Sequence, residues 1–463
     1  MKTKLRYLIL IAISFLGLQS CEDNDDTPLN NELQINDFIW KGMNAYYLWQ
    51  AEVPDLDDNR FPNYTQYEDY LRNFTPESLF NTLKLDESRD KFSWMVNDYT
   101  VLEQSFQGTT KSNGIEFKLS LDPNDTNKVV GIVNYIVPNS NASGKNIKRG
   151  EIFYGVNGTT LTLNNYRSLL FGSNEVYTLN FADFTNSTIV PNGKSLEFIK
   201  TTLNENPILI NKVITSGARK IGYLMYNGFY SSYDTALNTA FEYLKVQGVT
   251  DLVLDLRYNP GGSVGSATRL ASMITGQFTG QVFSKLTYNQ KSSKYNVDYL
   301  FPDKIGTTPI SSLNLTKVYI LTTSGTASAS ELIINGLAPY IEVVQIGDTT
   351  VGKNQASVTL YDSPDFSSKN KNPNHKYAIQ PIVAYTVNKN GFGDYQSGLK
   401  PTFTLKESVS TYGVLGDPSE PLLKTAISKI TGITAKTSLS TTQTWKEIGD
   451  SKNLLGRGGM QIE

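Results

Sequence analysis

The chain has 463 residues, enough for two to four domains with buried cores. Its 42 basic and 44 acidic side chains leave a formal charge of −2, so no basic field marks a nucleic-acid partner. One histidine (His375) and one cysteine (Cys21) exclude an intramolecular disulfide and leave few routes to nucleophilic chemistry.

The N-terminus predicts export. Lys2, Lys4 and Arg6 precede an apolar run from Tyr7 to Leu18, too short to span a bilayer as a helix. Leu18-Gln-Ser-Cys21 then resembles a bacterial lipobox, in which the cysteine becomes the first mature residue and carries lipid. The acidic Glu22–Asp26 stretch resembles surface-export signals of Bacteroidetes lipoproteins, or is a solvated linker. The expectation is a signal peptide over 1–21, an acidic tether over 22–32, and a lipoprotein of the cell envelope. Its place would be the outer membrane, on the periplasmic or the surface face. No other stretch approaches 18 consecutive apolar residues, so the lipid on Cys21 is the expected membrane contact.

Residues 33–104 read as a small helical domain. Asn36 or Asp37 can cap a helix that places Trp40, Met43, Tyr47 and Leu48 on one face. Tyr67–Phe74 is a second candidate helix, and Thr75-Pro76 opens a third with Thr as N-cap and Pro at the first helical position. Residues 105–196 change to short alternating strands separated by Gly/Asn turns. Lys128–Val137 reads as a strand, and Ile147–Gly158 as a turn, a strand and an Asn-Gly hairpin turn. The run Gly150-Glu-Ile-Phe-Tyr-Gly-Val-Asn-Gly158 resembles the signature of a PDZ domain, with Glu151 in place of the usual Asp. Gly114, Ile115, Glu116 and Phe117 fall where such a domain holds a peptide carboxylate on backbone N–H groups while the peptide adds a strand to the sheet edge.

From 197 to 435 the pattern is α/β. Ile221–Tyr226 and Thr250–Leu256 are strands, the second with an unbroken apolar centre as in a sheet covered on both faces. Between them Asp234–Lys245 is a helix whose Leu237, Ala240, Phe241 and Leu244 share a face, stopped by Gly248. Ala267–Ile274 is a further helix, and Lys317–Leu321 and Ile341–Ile346 are further strands. Residues 436–463 form a C-terminal tail, Ser/Thr-rich and loose over Thr437–Thr444.

Two residues in this region invite chemistry. Ser328 lies in a Gly/Ser/Ala-rich turn, Ser324-Gly-Thr-Ala-Ser-Ala-Ser-Glu331, between a strand and a helix. Its spacing to Glu331 is that of a capping box, so Ser328 is a helix cap, a nucleophile, or both. A helix N-terminus also stabilises a developing oxyanion. Lys353 follows 25 residues later, among small and apolar neighbours with no carboxylate between Asp348 and Asp362. Burial there would depress its pKa and free its lone pair. The Ala329 N–H and the Gly261-Gly262 turn are candidate oxyanion donors, and the alternative for the turn is a simple tight bend. On a strand, Lys353, Gln355 and Ser357 would share a face, so Gln355 or Ser357 could orient the lysine. His375 lies in a polar loop and makes a poor triad member. Nothing suggests a cofactor or a metal site.

Taken together, Asp255-Leu-Arg-Tyr-Asn-Pro-Gly-Gly262, Ser324–Glu331, Gly347-Asp-Thr-Thr-Val-Gly-Lys353 and Gly398-Leu-Lys-Pro401 resemble the C-terminal processing (tail-specific) serine peptidases. The resemblance implies a multidomain α/β (α+β) peptidase core of the ClpP/crotonase type behind a helical N-terminal domain and a PDZ-like β domain. It implies Ser328 as nucleophile, Lys353 as general base, backbone oxyanion donors at Gly261 and Ala329, and a polypeptide substrate. Family members often carry a Gln four residues beyond the Lys, where this chain has Ser357; Gln355 lies two residues nearer. A catalytically silent peptide-binding lipoprotein on the same scaffold is the alternative.

Overall fold

In the computed structural model, residues 31–433, 445–452 and 459–462 are described. The signal-peptide and lipidation readings, including Cys21, and the Thr437–Thr444 stretch lie outside the described residues. No described helix is long and apolar enough to cross a membrane.

Helix α1 (Asn31–Tyr46) begins upstream of the expected caps and buries Phe38, Ile39 and Met43. Asn36, buried, caps a different helix instead. Its side chain donates to the carbonyls of Leu71 and Phe74 at 3.0 and 2.8 Å, closing the C-terminal end of α2 (Tyr64–Leu71). Helix α2 starts before Tyr67 because Asn63 caps it, accepting from the Gln66 N–H at 3.0 Å. Helix α3 (Pro76–Thr82) has Thr75 as N-cap, as expected. The helices do not enclose a core of their own. They share it with Leu360, Ile379 and Ile382, and Trp94–Val96 pairs with Ala378–Gln380. The N-terminal region is therefore packed onto the α/β core rather than beside it.

The β domain follows, with β1 (Ile115–Asp122), β2 (Asp125–Ile136), β3 (Ile152–Val156), α4 (Tyr166–Phe171), β4 (Val176–Thr185) and β5 (Thr188–Ile199). The five strands pair in chain order, all antiparallel. Asn157 and Gly158 both have positive φ, 50° and 78°, the backbone that a two-residue hairpin turn needs. Phe117, Leu119, Val133, Phe153 and Phe181 point inward against Leu170 of α4.

The core begins with β6 (Ile208–Ser216), β7 (Arg219–Tyr226), α5 (Asp234–Val246), β8 (Asp251–Asp255), β9 (Gly261–Ser263) and α6 (Val264–Thr275). It continues with β10 (Val282–Tyr288), β11 (Val297–Leu300), β12 (Lys317–Thr322), α7 (Ala329–Leu337), β13 (Glu342–Gly347), β14 (Gln355–Ser357), β15 (Ile382–Asn388), β16 (Phe403–Thr404) and α8 (Pro421–Thr431). One sheet runs β6-β7-β8-β12-β13-β16, parallel except for the β6/β7 pair. Its residues alternate between two cores. Leu224, Leu252, Leu254, Val318 and Ile320 face α5, α6 and α7, whereas Tyr223, Val253, Tyr319, Leu321 and Ile346 face α8. Coverage of both faces is why these strands read as unbroken apolar runs.

The tail joins two sheets. β17 (Glu447–Asp450) pairs antiparallel with β1 of the β domain, and β18 (Gly459–Gln461) lies between β9 and β14, parallel to both. A second core sheet thus runs β9-β18-β14-β15-β10-β11.

Candidate active site

The C-terminal ends of β8 and β12 place two loops side by side, the position where open α/β sheets carry their ligands. The loop after β8 holds Asn259-Pro-Gly-Gly262, and that after β12 leads to Ser328. They are stitched together: the Asn259 carbonyl accepts from the Ala327 N–H at 3.2 Å and the Ser330 hydroxyl at 3.1 Å, and Thr326 Oγ1 donates to the Leu256 carbonyl at 2.9 Å.

Ser328 precedes the first residue of α7 and has φ +64°, a left-handed conformation rare for serine. Such strain costs about 1–3 kcal/mol and persists only where surrounding contacts impose it. Those contacts centre on Glu331, three residues into the helix and fully buried. Its Oε2 accepts from the Ser328 N–H at 2.7 Å and from the Lys353 N–H at 2.9 Å. Its Oε1 accepts from Thr350 Oγ1 at 2.5 Å and the Gly352 N–H at 2.6 Å. One carboxylate therefore fixes the backbones of both Ser328 and Lys353. Burial pushes the Glu331 carboxyl above its ordinary range, and the four hydrogen bonds oppose that rise. The capping-box register is present, but only its Glu331 half is a hydrogen bond. Ser328 Oγ is buried with no hydrogen-bond partner.

Gly261 closes against the serine. A Cβ at position 261 would lie 2.7 Å from Ser328 Cβ, 3.0 Å from Ser328 Oγ and 3.0 Å from the Ala329 nitrogen. Gly261 has φ +108°, which only glycine adopts without strain. Gly261, Ser328 and the Ala329 N–H, three of the predicted site groups, thus meet at one point. In this arrangement the Gly261 N–H donates to Asn259 Oδ1 at 2.9 Å.

Lys353 is 4 % exposed. Burial lowers its pKa from 10.5 to about 8, against the pull of Asp90 and Glu331, whose negative charges favour the ammonium. Its Nζ stands 4.8 Å from the centroid of the Phe92 ring. Sequence distance concealed these neighbours. The absence of carboxylates between 348 and 362 is correct along the chain but not in space. Asp90 is held by the Tyr47 hydroxyl at 2.8 Å and by the Ser93 N–H at 2.8 Å, all within the N-terminal region.

The strand argument for the lysine's partner does not hold. Lys353 precedes β14 rather than lying on it, and the register shifts between Ala356 and Ser357, which breaks the simple alternation. Ser357 Oγ instead donates to the Met460 carbonyl at 3.1 Å. Gln355 is buried and its Oε1 has no partner. His375 is engaged elsewhere, with Nε2 2.9 Å from Asp362 Oδ2 and Nδ1 accepting from the Tyr377 N–H at 3.1 Å.

Asp255 and Arg257 support the strand end. Arg257, fully buried, binds Asp255 through Nε at 2.9 Å and both Glu407 and Glu420 at 2.8 Å. Arg149 of the β domain joins the same cluster at 2.6 Å from Glu407.

The second predicted site lies on the β domain. Ile115, Glu116 and Phe117 border a cavity of about 420 Å³, with Leu170 and Phe171 of α4 opposite and Lys111 and Lys200 at its rim. The Gly114 and Ile115 N–H groups donate to Ser112 Oγ and Asn113 Oδ1, both at 3.0 Å, and the Phe117 N–H donates to Ser451 Oγ at 3.0 Å.

The fold defines a multidomain α/β protein of peptidase type. Sequence profiles of peptidase family S41 and of the peptidase S41 N-terminal domain match residues 220–397 and 34–94, together just over half of the chain. The chain belongs to peptidase family S41. It is similar to a carboxyl-terminal-processing protease of Picosynechococcus, 26% identical over 172 residues, 37% of this chain and 38% of that protein. It is also similar to a chloroplastic C-terminal processing peptidase of Tetradesmus obliquus, 26% identical over 273 residues, 55% of each. The alignments thus span between about a third and just over half of these curated relatives. Among solved structures, a proposed S41 protease from Bacteroides fragilis superposes with a TM-score of 0.67 at 27% identity, covering 86% of this chain and 98% of that one.

Proposed function

We propose that the protein is a serine endopeptidase with a Ser328/Lys353 dyad. The observation that carries this reading is the buried lysine whose backbone N–H shares the Glu331 carboxylate with the Ser328 N–H; burial lowers the lysine pKa to about 8. At neutral pH a fraction of Lys353 is already neutral and able to take a proton. Ser328 Oγ bonds to the scissile carbonyl carbon as its proton passes to Lys353 Nζ. The carbonyl oxygen becomes an oxyanion, received by the Ala329 N–H and the Gly261-Gly262 turn, where it displaces Asn259 Oδ1 from the Gly261 N–H. The intermediate collapses to an acyl ester as the leaving amine takes the proton from Lys353. Water then hydrolyses the ester by the same relay. Gln355, whose buried Oε1 has no partner in this arrangement, is the residue left to orient the lysine once substrate binds, Ser357 being bonded to Met460.

The substrate is a polypeptide of the envelope or extracellular space, docked in extended form along the PDZ-like β domain at Gly114–Phe117. A lipid on Cys21 holds the enzyme at the outer membrane. If a Cys21→Ala variant stays in the membrane fraction, the anchor is elsewhere.

The burial of Ser328 Oγ favours one other reading, a peptide-binding protein without turnover. Incubation with an unfolded polypeptide separates the two. Cleavage lost in Ser328→Ala and in Lys353→Ala supports the peptidase. Equal cleavage by wild type and Ser328→Ala sinks it, and binding without turnover establishes the silent scaffold.

A further inference from the structure

The edge of β1 that faces away from β2 is the place where an extended peptide could add to the β domain. That edge is already taken. β17 runs antiparallel along it with Glu447 opposite Ser120, Gly449 opposite Leu119 and Asp450 opposite Lys118. The ladder is continued by the Leu121 N–H to the Lys446 carbonyl at 2.9 Å and by the Ser451 N–H to the Phe117 carbonyl at 2.8 Å. Beyond it, Lys452 Nζ donates to the Asn227 carbonyl at 2.7 Å and meets Glu205 at 3.1 Å. The tail then reappears as β18, wedged between β9, which carries Gly261 and Gly262, and β14, which follows Lys353. Met460 is the register partner of both Gly262 and Ala356 and is fully buried. The tail also touches the nucleophile loop, since Ser324 Oγ donates to Glu447 Oε2 at 3.1 Å. A cavity of about 300 Å³ links these parts, lined by Trp445 and Glu447 of the tail, Lys118 of β1, Ser324 and Gly325, and Pro260.

Two facts make this arrangement a closed one. Ser328 has no exposed surface, so a polypeptide cannot reach it until something moves. The described tail is held on β1 chiefly by main-chain hydrogen bonds, which any extended polypeptide can replace, and it lies against both catalytic loops.

We propose that the C-terminal segment is a resident ligand of its own enzyme. Glu447–Lys452 occupies the docking edge of the β domain in place of substrate, and an incoming extended peptide exchanges with it. The exchange also frees Gly459–Ile462 from the catalytic sheet and uncovers Ser328. The 420 Å³ cavity at the start of β1, bordered by Ser451, is where the exchange begins. The kinetic consequence rests on the peptidase reading; the exchange itself does not.

The test uses the full chain in a Cys21→Ser background with Ser120→Cys and Glu447→Cys, which are register partners across β1 and β17. With the disulfide formed, cleavage of unfolded casein falls roughly tenfold or more and returns on reduction. Equal rates in the two redox states overturn the proposal. Absence of cleavage in both states tells against the peptidase reading alone. In that case, hydrogen exchange on full-length Ser328→Ala with a casein-derived peptide decides. The amides of Gly449–Lys452 and Met460–Ile462 should exchange roughly tenfold faster with peptide bound, while Phe117–Leu121 stay protected. Unchanged tail exchange with peptide bound, or no binding, refutes the exchange.

Discussion

Lys353 sets the pH at which the proposed chemistry can run. The base is the neutral amine, so the rate at limiting substrate should rise with pH and level off above about 8. Replacing Asp90 by Asn removes a charge that favours the ammonium, so the midpoint of that rise should move to lower pH. An unmoved midpoint would show that Asp90 does not act on the lysine. Between about 8 and 10.5 the folded chain binds fewer protons at this site than the unfolded chain, so stability gains with pH across that window. Gly261→Ala puts a methyl 2.7 Å from Ser328 Cβ at a φ of +108°. We expect a folded protein, by circular dichroism, whose kcat/KM drops about 100-fold or more, because a displacement of about an ångström suffices for that. Glu331→Gln leaves an amide facing two donors. It should cost about 1–3 kcal/mol in urea denaturation and lower kcat more than it raises KM. Sequence spacing marked Glu331 as a capping residue and stopped there. Three of its four donors come from Thr350, Gly352 and Lys353, and no local pattern encodes that convergence.

At the scale of elements, the legible parts were those governed by a period. The face of α5 formed by Leu237, Ala240, Phe241 and Leu244 is buried as its spacing requires, and the apolar centre of β8 is covered on both sides. Asn36 was misread because a good cap residue can serve another helix from inside its own. β14 was misread because a bulge and an irregular approach undo period-two reasoning. The tail strands are three and four residues long, too short to carry a period, and exist only through their partners. The loop after β8 depends on Arg257, which hydrogen-bonds three buried carboxylates, Asp255, Glu407 and Glu420. Burial alone would push the Glu407 carboxyl up; Arg149 and Arg257 outweigh it and hold it at about 2. Its contribution to stability is thus complete above its ordinary range near 4.5 and is lost only as pH falls toward 2. Arg257→Met should destabilise by about 3–5 kcal/mol, read from the urea midpoint, because it strands Asp255 and Glu420 and leaves Glu407 with Arg149 alone. A loss below about 1 kcal/mol would mean that they protonate or find water instead.

At the scale of the molecule, two of the groups that act on Lys353, Asp90 and Phe92, lie more than 250 positions upstream, in the region matched by the S41 N-terminal profile. The α/β core is consequently not a portable cassette. Expressed from residue 97 onward, it would keep Ser328, Gly261 and Lys353 but leave the ammonium facing solvent, with a proton affinity near that of a free lysine. Such a fragment, provided that circular dichroism shows it folded, should be inert at neutral pH and recover only in alkaline buffer. Swapping N-terminal regions between relatives should then retune the pH dependence without altering Ser328 or Lys353.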